Sequence, residues 1–137
     1  MPSFGKRSLA NLEECHTDLQ RIFNEVVKEY DCSVIEGHRP EAEQNKAFHA
    51  KKSTLQFPNS KHNLVPSMAA DVVPYPVDWN DTNRFYHFSG YVQGIARRMY
   101  EDAFIMHKIR WGGDWDGDFT WKDQTFHDLP HFELIVP

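Results

Sequence analysis

The run Met68-Ala-Ala-Asp-Val-Val73 sets a condition on any fold this chain adopts. Its apolar residues favour a buried strand, and such a strand carries Asp71 into the interior with it. A buried carboxylate without a partner is expensive, so a cation or hydrogen-bond donors must meet it. A structural salt bridge is one answer and a bound metal is another.

Composition narrows the field. The chain has 137 residues, 40% of them hydrophobic, which fits one domain spanning 1–137 and any site built within one core. A domain of this size buries roughly two-thirds of its unfolded surface, so Cys15 and Cys32 are not needed as a staple and read as free thiols. The net charge of −5 repels polyanions and argues against a nucleic-acid partner. No apolar run approaches the roughly 20 residues of a transmembrane segment. Met1 to Arg7 leads into mixed polarity instead of an apolar signal core, so the chain is expected to be made in the cytoplasm, as a monomer. Eight histidines and four tryptophans are many for this length, and only their spacing gives them meaning.

From Ser8 to Tyr30, Leu12, Cys15, Leu19, Ile22, Phe23, Val26, Val27 and Tyr30 recur every three or four residues, predicting one amphipathic helix that Thr17 and Asp18 are placed to interrupt. Cys32 to Glu36 reads as a strand, and Gly37-His-Arg-Pro40 as a turn into a surface helix from Glu41 to about Lys52. Ser53 to Pro66 reads as loop and Met68 to Val73 as the strand around Asp71. Asp81 or Thr82 caps a helix with Phe85, Phe88, Tyr91, Val92, Ile95, Met99 and Ala103 on its buried stripe. Ile105 to Trp111 and His131 to Val136 read as strands separated by a turn at Gly112 to Asp118. No glycine-rich phosphate loop follows a strand, so the expected class is α+β, a small antiparallel sheet with helices packed on it.

Metal-capable side chains fall in three constrained places: Ser60-Lys-His62, Ala69-Ala-Asp71 and Asp128-Leu-Pro-His131. Two imidazoles and a carboxylate suit a catalytic zinc, because three protein ligands leave the fourth tetrahedral position open to water. A separate carboxylate must then move protons, and Asp128 is placed to do so. His127 competes with His131 for the third ligand position, which the apolar neighbours of His131 favour. Taken alone, Asp128 also suits a turn cap, and Arg39 also suits a pair with Glu36 or Glu41.

These motifs resemble those of the zinc peptidases that include D-alanyl-D-alanine carboxypeptidases and the L-alanyl-D-glutamate endopeptidases of bacteriophage lysis (endolysins). The stretch from Ser60 to Pro76 is especially similar to the phage enzymes. Glu36-Gly-His-Arg39, Val77-Asp-Trp79 and Arg110-Trp-Gly-Gly-Asp-Trp115 agree with it. The resemblance implies the fold of the D-alanyl-D-alanine carboxypeptidase type. It also implies zinc ligands His62, Asp71 and His131, Asp128 as general acid/base, Arg39 as a catalytic arginine polarising the scissile carbonyl, and Ser60 as a substrate-binding hydroxyl. Two departures stand out. His62 and Asp71 are nine residues apart, wider than in many members, and Asp128 stands where many carry glutamate. A ligand pair drawn from loop and strand tolerates an outward bulge between its members.

The remaining polar clusters have plainer readings. His38, His49, His87 and His107 read as ordinary surface or core residues, and the tryptophans as core or cleft wall with one or two near glycan. Asp114, Asp116 and Asp118 alternate like the start of a calcium loop, but its glycine and later glutamate are not at the required positions. The expected function is zinc-dependent cleavage of peptidoglycan stem peptides, at the L-alanyl-D-glutamate bond, after release from the host cytoplasm. Its rivals are a D-alanyl-D-alanine carboxypeptidase and a catalytically silent, zinc-stabilised cell-wall binding module.

Overall fold

A computed structural model describes residues 2–137. Helices α1 (Lys6–Glu13) and α2 (Thr17–Val26) precede strand β1 (Cys32–Glu36) and helix α3 (Glu41–His49). A single 3-10 turn at Lys61–Asn63 leads to β2 (Ala69–Pro74), followed by α4 (Thr82–Glu101), β3 (Lys108–Trp111) and β4 (His131–Ile135). The four strands form one antiparallel sheet in the order β1-β2-β4-β3. The fold is α+β, as the sequence predicts.

Two element boundaries differ from the sequence reading. The helix expected over 8–30 is two helices, because the backbone at the break pairs with another segment. Ser67 donates to the Glu14 carbonyl and accepts from the His16 amide, each at 2.9 Å. His16 then caps α2, its Nδ1 accepting from the Asp18 amide at 3.0 Å. The strand expected over 105–111 begins only at Lys108, because the amides of Met106 and His107 both donate to Asp18 Oδ2. His107 Nδ1 donates to the same oxygen at 2.8 Å. Burial opposes ionisation of Asp18, but these donors outweigh it and hold its carboxyl below the usual range.

One face of the sheet is core. Cys32, Val34, Ala70, Val72, Phe132 and Leu134 pack there with Leu19, Ile22, Phe23 and Val26 of α2 and Phe88, Val92 and Ala96 of α4. Both cysteines are free and buried, and burial pushes their thiols up to about 12. By the two-residue period of a strand, Asp71, His131 and Glu133 are carried to the opposite face. In β1 the pairing slips between Val34 and Glu36, so that Val34 faces Val72 whereas Glu36 faces Asp71. The extra residue, Ile35, transfers Glu36 from the core side to the side of Asp71.

Candidate active site

Sheet register assembles the first part of the site. Asp71 and His131 are directly opposed in the β2–β4 pair. The 3-10 turn supplies His62, which is 1% exposed. His62 Nε2 lies 3.1 Å from Asp71 Oδ1 and 3.2 Å from His131 Nδ1, and His131 Nδ1 lies 3.3 Å from Asp71 Oδ1. A tetrahedral zinc with ligand bonds of about 2.0–2.1 Å has ligand-to-ligand edges of about 3.3 Å. The three atoms therefore form a triangle of the size of one face of such a tetrahedron, and these residues can hold a metal ion.

The surrounding groups orient the ligand atoms. His62 Nδ1 donates to the Gly37 carbonyl at 2.7 Å, which leaves Nε2 with its lone pair facing Asp71. Gly37 passes so close to α1 that a Cβ there would stand 2.2 Å from the Asn11 carbonyl oxygen. Its lack of a side chain is what lets this carbonyl reach His62. At the other ligand, His131 Nε2 donates to Glu133 Oε1 at 2.8 Å and so frees Nδ1. Glu133 receives Arg110 on its other oxygen at 2.8 Å, and Lys61 stands 3.7 Å from it. Burial pushes the Glu133 carboxyl up, but bonds from His131 and Arg110 prevail and hold it at about 2.

Asp128 stands beside the triangle, its Oδ2 3.8 Å from His131 Nδ1. Three backbone bonds lock it there. The Asp128 amide donates to Gly112, Gly112 donates to His131, and His131 donates back to Asp128, at 2.9, 2.8 and 3.0 Å. A Cβ on Gly112 would lie 2.1 Å from the Asp128 carbonyl oxygen, so only glycine permits this approach. Burial, reinforced by the Asp71 charge, pushes the Asp128 carboxyl up to about 6. Arg39 pairs with Glu36 and donates to Gln44 Oε1 at 2.9 Å, and its guanidinium lies 3.6 Å from Asp71 Oδ2. Ser60 caps the 3-10 turn, its Oγ accepting from the His62 amide at 3.2 Å.

Two chambers meet at Arg39, Phe126 and Asp128. The larger, of about 880 Å³, reaches the triangle at Asp71, and the smaller, of about 390 Å³, reaches it at His62 and His131. A model of the phage L-alanyl-D-glutamate peptidase family matches residues 2–135. The chain belongs to this family. It is also similar to the L-Ala D-Glu endopeptidase ChiX of Serratia marcescens, whose crystal structure it matches with a TM-score of 0.71 and 28% identity over 98% of this chain and 91% of that one. No match is found among curated proteins.

Within this phage-type peptidase, the structure brings together all six residues singled out from the sequence: His62, Asp71 and His131 in the triangle, and Arg39, Asp128 and Ser60 around it. His127, the alternative third ligand, is exposed on the wall of the larger chamber. His16, Asp18 and His107 form a second His-Asp-His group, but the ring of His16 and one carboxylate oxygen of Asp18 are engaged in the fold. His16 Nδ1 accepts the helix cap bond, so Nε2 carries the ring proton, and Asp18 Oδ2 already accepts three donors. Asp114 and Asp118 are likewise engaged in turn bonds to the amides of Phe119 and Thr120.

Sequence reasoning missed Glu133 and Gln44. Glu133 lies two residues beyond His131, so strand periodicity alone puts both on one face. Gln44, the one fully buried residue of α3, bridges Arg39 to the Ser53–Leu55 segment. No local pattern marks it. Replacing Glu133 with alanine is expected to weaken metal affinity roughly 10–100-fold by freeing the tautomer of His131, as read by competition with a chromogenic chelator.

Proposed function

We propose that this peptidase is a zinc enzyme that hydrolyses the L-alanyl-D-glutamyl bond of peptidoglycan stem peptides, in the service of phage lysis. The observation that carries the reading is the triangle of His62, Asp71 and His131 at the junction of two chambers. Zinc held by these three residues supplies a Lewis-acid centre that polarises the scissile carbonyl and eases deprotonation of water.

The chain's own groups do the rest. Asp128 accepts a proton from the attacking water as its oxygen bonds to the alanyl carbonyl carbon. It then returns that proton to the D-glutamyl nitrogen as the carbon–nitrogen bond breaks. Arg39, braced by Glu36 and Gln44, retains guanidinium hydrogens to donate to the carbonyl oxygen as it gains negative charge. Ser60, by accepting from the His62 amide, keeps its own hydroxyl proton to offer to substrate in the smaller chamber.

Chambers on both approaches to the triangle favour cutting within a chain over trimming a terminal D-alanine. Digestion of purified peptidoglycan followed by mass spectrometry tests this. The expected products are glycan strands ending in L-alanine and peptides beginning with D-glutamate, lost with a chelator and restored by zinc. Release of free D-alanine instead makes the enzyme a carboxypeptidase, and wall binding without any cleavage makes it a binding module.

A further inference from the structure

The two chambers differ in size, about 880 against 390 Å³, and the two ends of the proposed substrate differ in bulk. On the acyl side of the scissile bond, L-alanine is amide-linked to the lactyl group of a neutral amino-sugar glycan. On the amine side, D-glutamate carries a free carboxylate. Charge does not separate the chambers, since Lys61 and Arg110 of the smaller are paired with Glu133 while Lys46, Lys51 and Lys52 line the larger beside Glu36 and Glu43. The larger has an apolar floor that includes Ile35, Phe85 and Leu129, and beside them stands Trp79.

Trp79 is 57% exposed although it stacks on the buried Phe85, with ring centroids 5.5 Å apart and planes 23° apart. An aromatic side chain this large is usually more fully covered. It is nevertheless held in place. Asp78 Oδ1 accepts from the Asn80 amide at 3.0 Å, the Asp81 amide returns to the Asp78 carbonyl, and Arg84 donates to the Tyr75 and Pro76 carbonyls. Ile35, the extra residue of the β1 irregularity, is 44% exposed in the same chamber. A fixed aromatic platform in a chamber of about 880 Å³, continuous with the catalytic junction, matches the apolar faces of sugar rings in size and character.

We infer that the larger chamber binds the glycan that bears the stem peptide, with Trp79 stacking on one of its sugar rings. The inference rests on the peptidase reading above. It makes Trp79 a specificity residue that distinguishes wall-attached stems from free peptides.

The test compares kcat/KM for one stem peptide in two forms, attached to an N-acetylglucosaminyl-N-acetylmuramoyl disaccharide and capped only by an acetyl group. Wild type is expected to prefer the glycan-bearing form. Trp79→Ala is expected to lower the ratio of the two kcat/KM values by roughly tenfold, mostly through KM for the glycan-bearing form, and Trp79→Phe to restore most of it. Phe104→Ala, which removes an exposed aromatic outside both chambers, serves as the surface control. An unchanged ratio in Trp79→Ala, whether both rates fall together or neither moves, overturns the inference while leaving the peptidase reading intact. A wild type that cuts neither form between L-alanine and D-glutamate overturns the peptidase reading itself.

Discussion

Replacing Asp128 with asparagine is expected to lower kcat/KM on peptidoglycan by roughly 10²–10⁴-fold, the usual contribution of a positioned acid or base, while leaving metal content unchanged. Asparagine preserves the shape of the side chain, and the bonds that lock residue 128 against Gly112 and His131 are all made by the backbone. What the substitution removes is the ability to accept a proton and return it. Asp128 stands 3.8 Å from His131 Nδ1 and outside the triangle of ligand atoms, so metal retention is the discriminating readout. Stoichiometric zinc by atomic absorption together with lost turnover supports the role. Full turnover refutes it, and loss of zinc makes Asp128 a ligand.

The same residue shows where the sequence was informative and where it fell silent. An aspartate reaches about one bond less far than a glutamate, and the Asp128 backbone is brought to the triangle by a close approach to Gly112. Gly112 admits the Asp128 backbone where a Cβ would clash. In the sequence, Gly112 and Gly113 announce only a turn. Asp71 was legible because an acid inside an apolar run is a local contradiction that demands a partner. The partners themselves follow from register, which the strand patterns left open: the irregularity at Ile35 turns Glu36 towards Asp71, and Glu36 in turn braces Arg39. The first helix shows the converse error. Its apolar period runs unbroken through residues 8–30, yet at Cys15 and His16 the backbone pairs with Ser67. Helical periodicity records which side chains are buried and is blind to a backbone bond made with a residue some fifty positions away. Gln44 lay beyond reach for the same reason, since its partners belong to the loop after α3.

His62→Ala is expected to abolish both metal binding and turnover, and Asp71→Asn to do the same with the least change in shape. Each removes one of three donors, so the effect on metal affinity should exceed the roughly 10–100-fold expected when only an orienting partner such as Glu133 is lost. The two variants separate charge from geometry. The Asp71→Asn side chain keeps an oxygen near the imidazoles but loses the negative charge that offsets a divalent cation, whereas His62→Ala keeps that charge and opens the triangle. Deleting a buried polar side chain costs about 1–3 kcal/mol, a fall in Tm of roughly 3–10 °C for a chain of this size, which leaves a folded protein to assay. Circular dichroism, zinc titration and product analysis on the same samples supply the comparison. Chelator-treated wild type should match both variants in turnover and recover with added zinc, whereas neither variant should recover. If metal-free wild type or the His62→Ala protein cleaves at the native rate, the triangle has no catalytic part and the orientation of its imidazoles by Gly37 and Glu133 serves the fold alone.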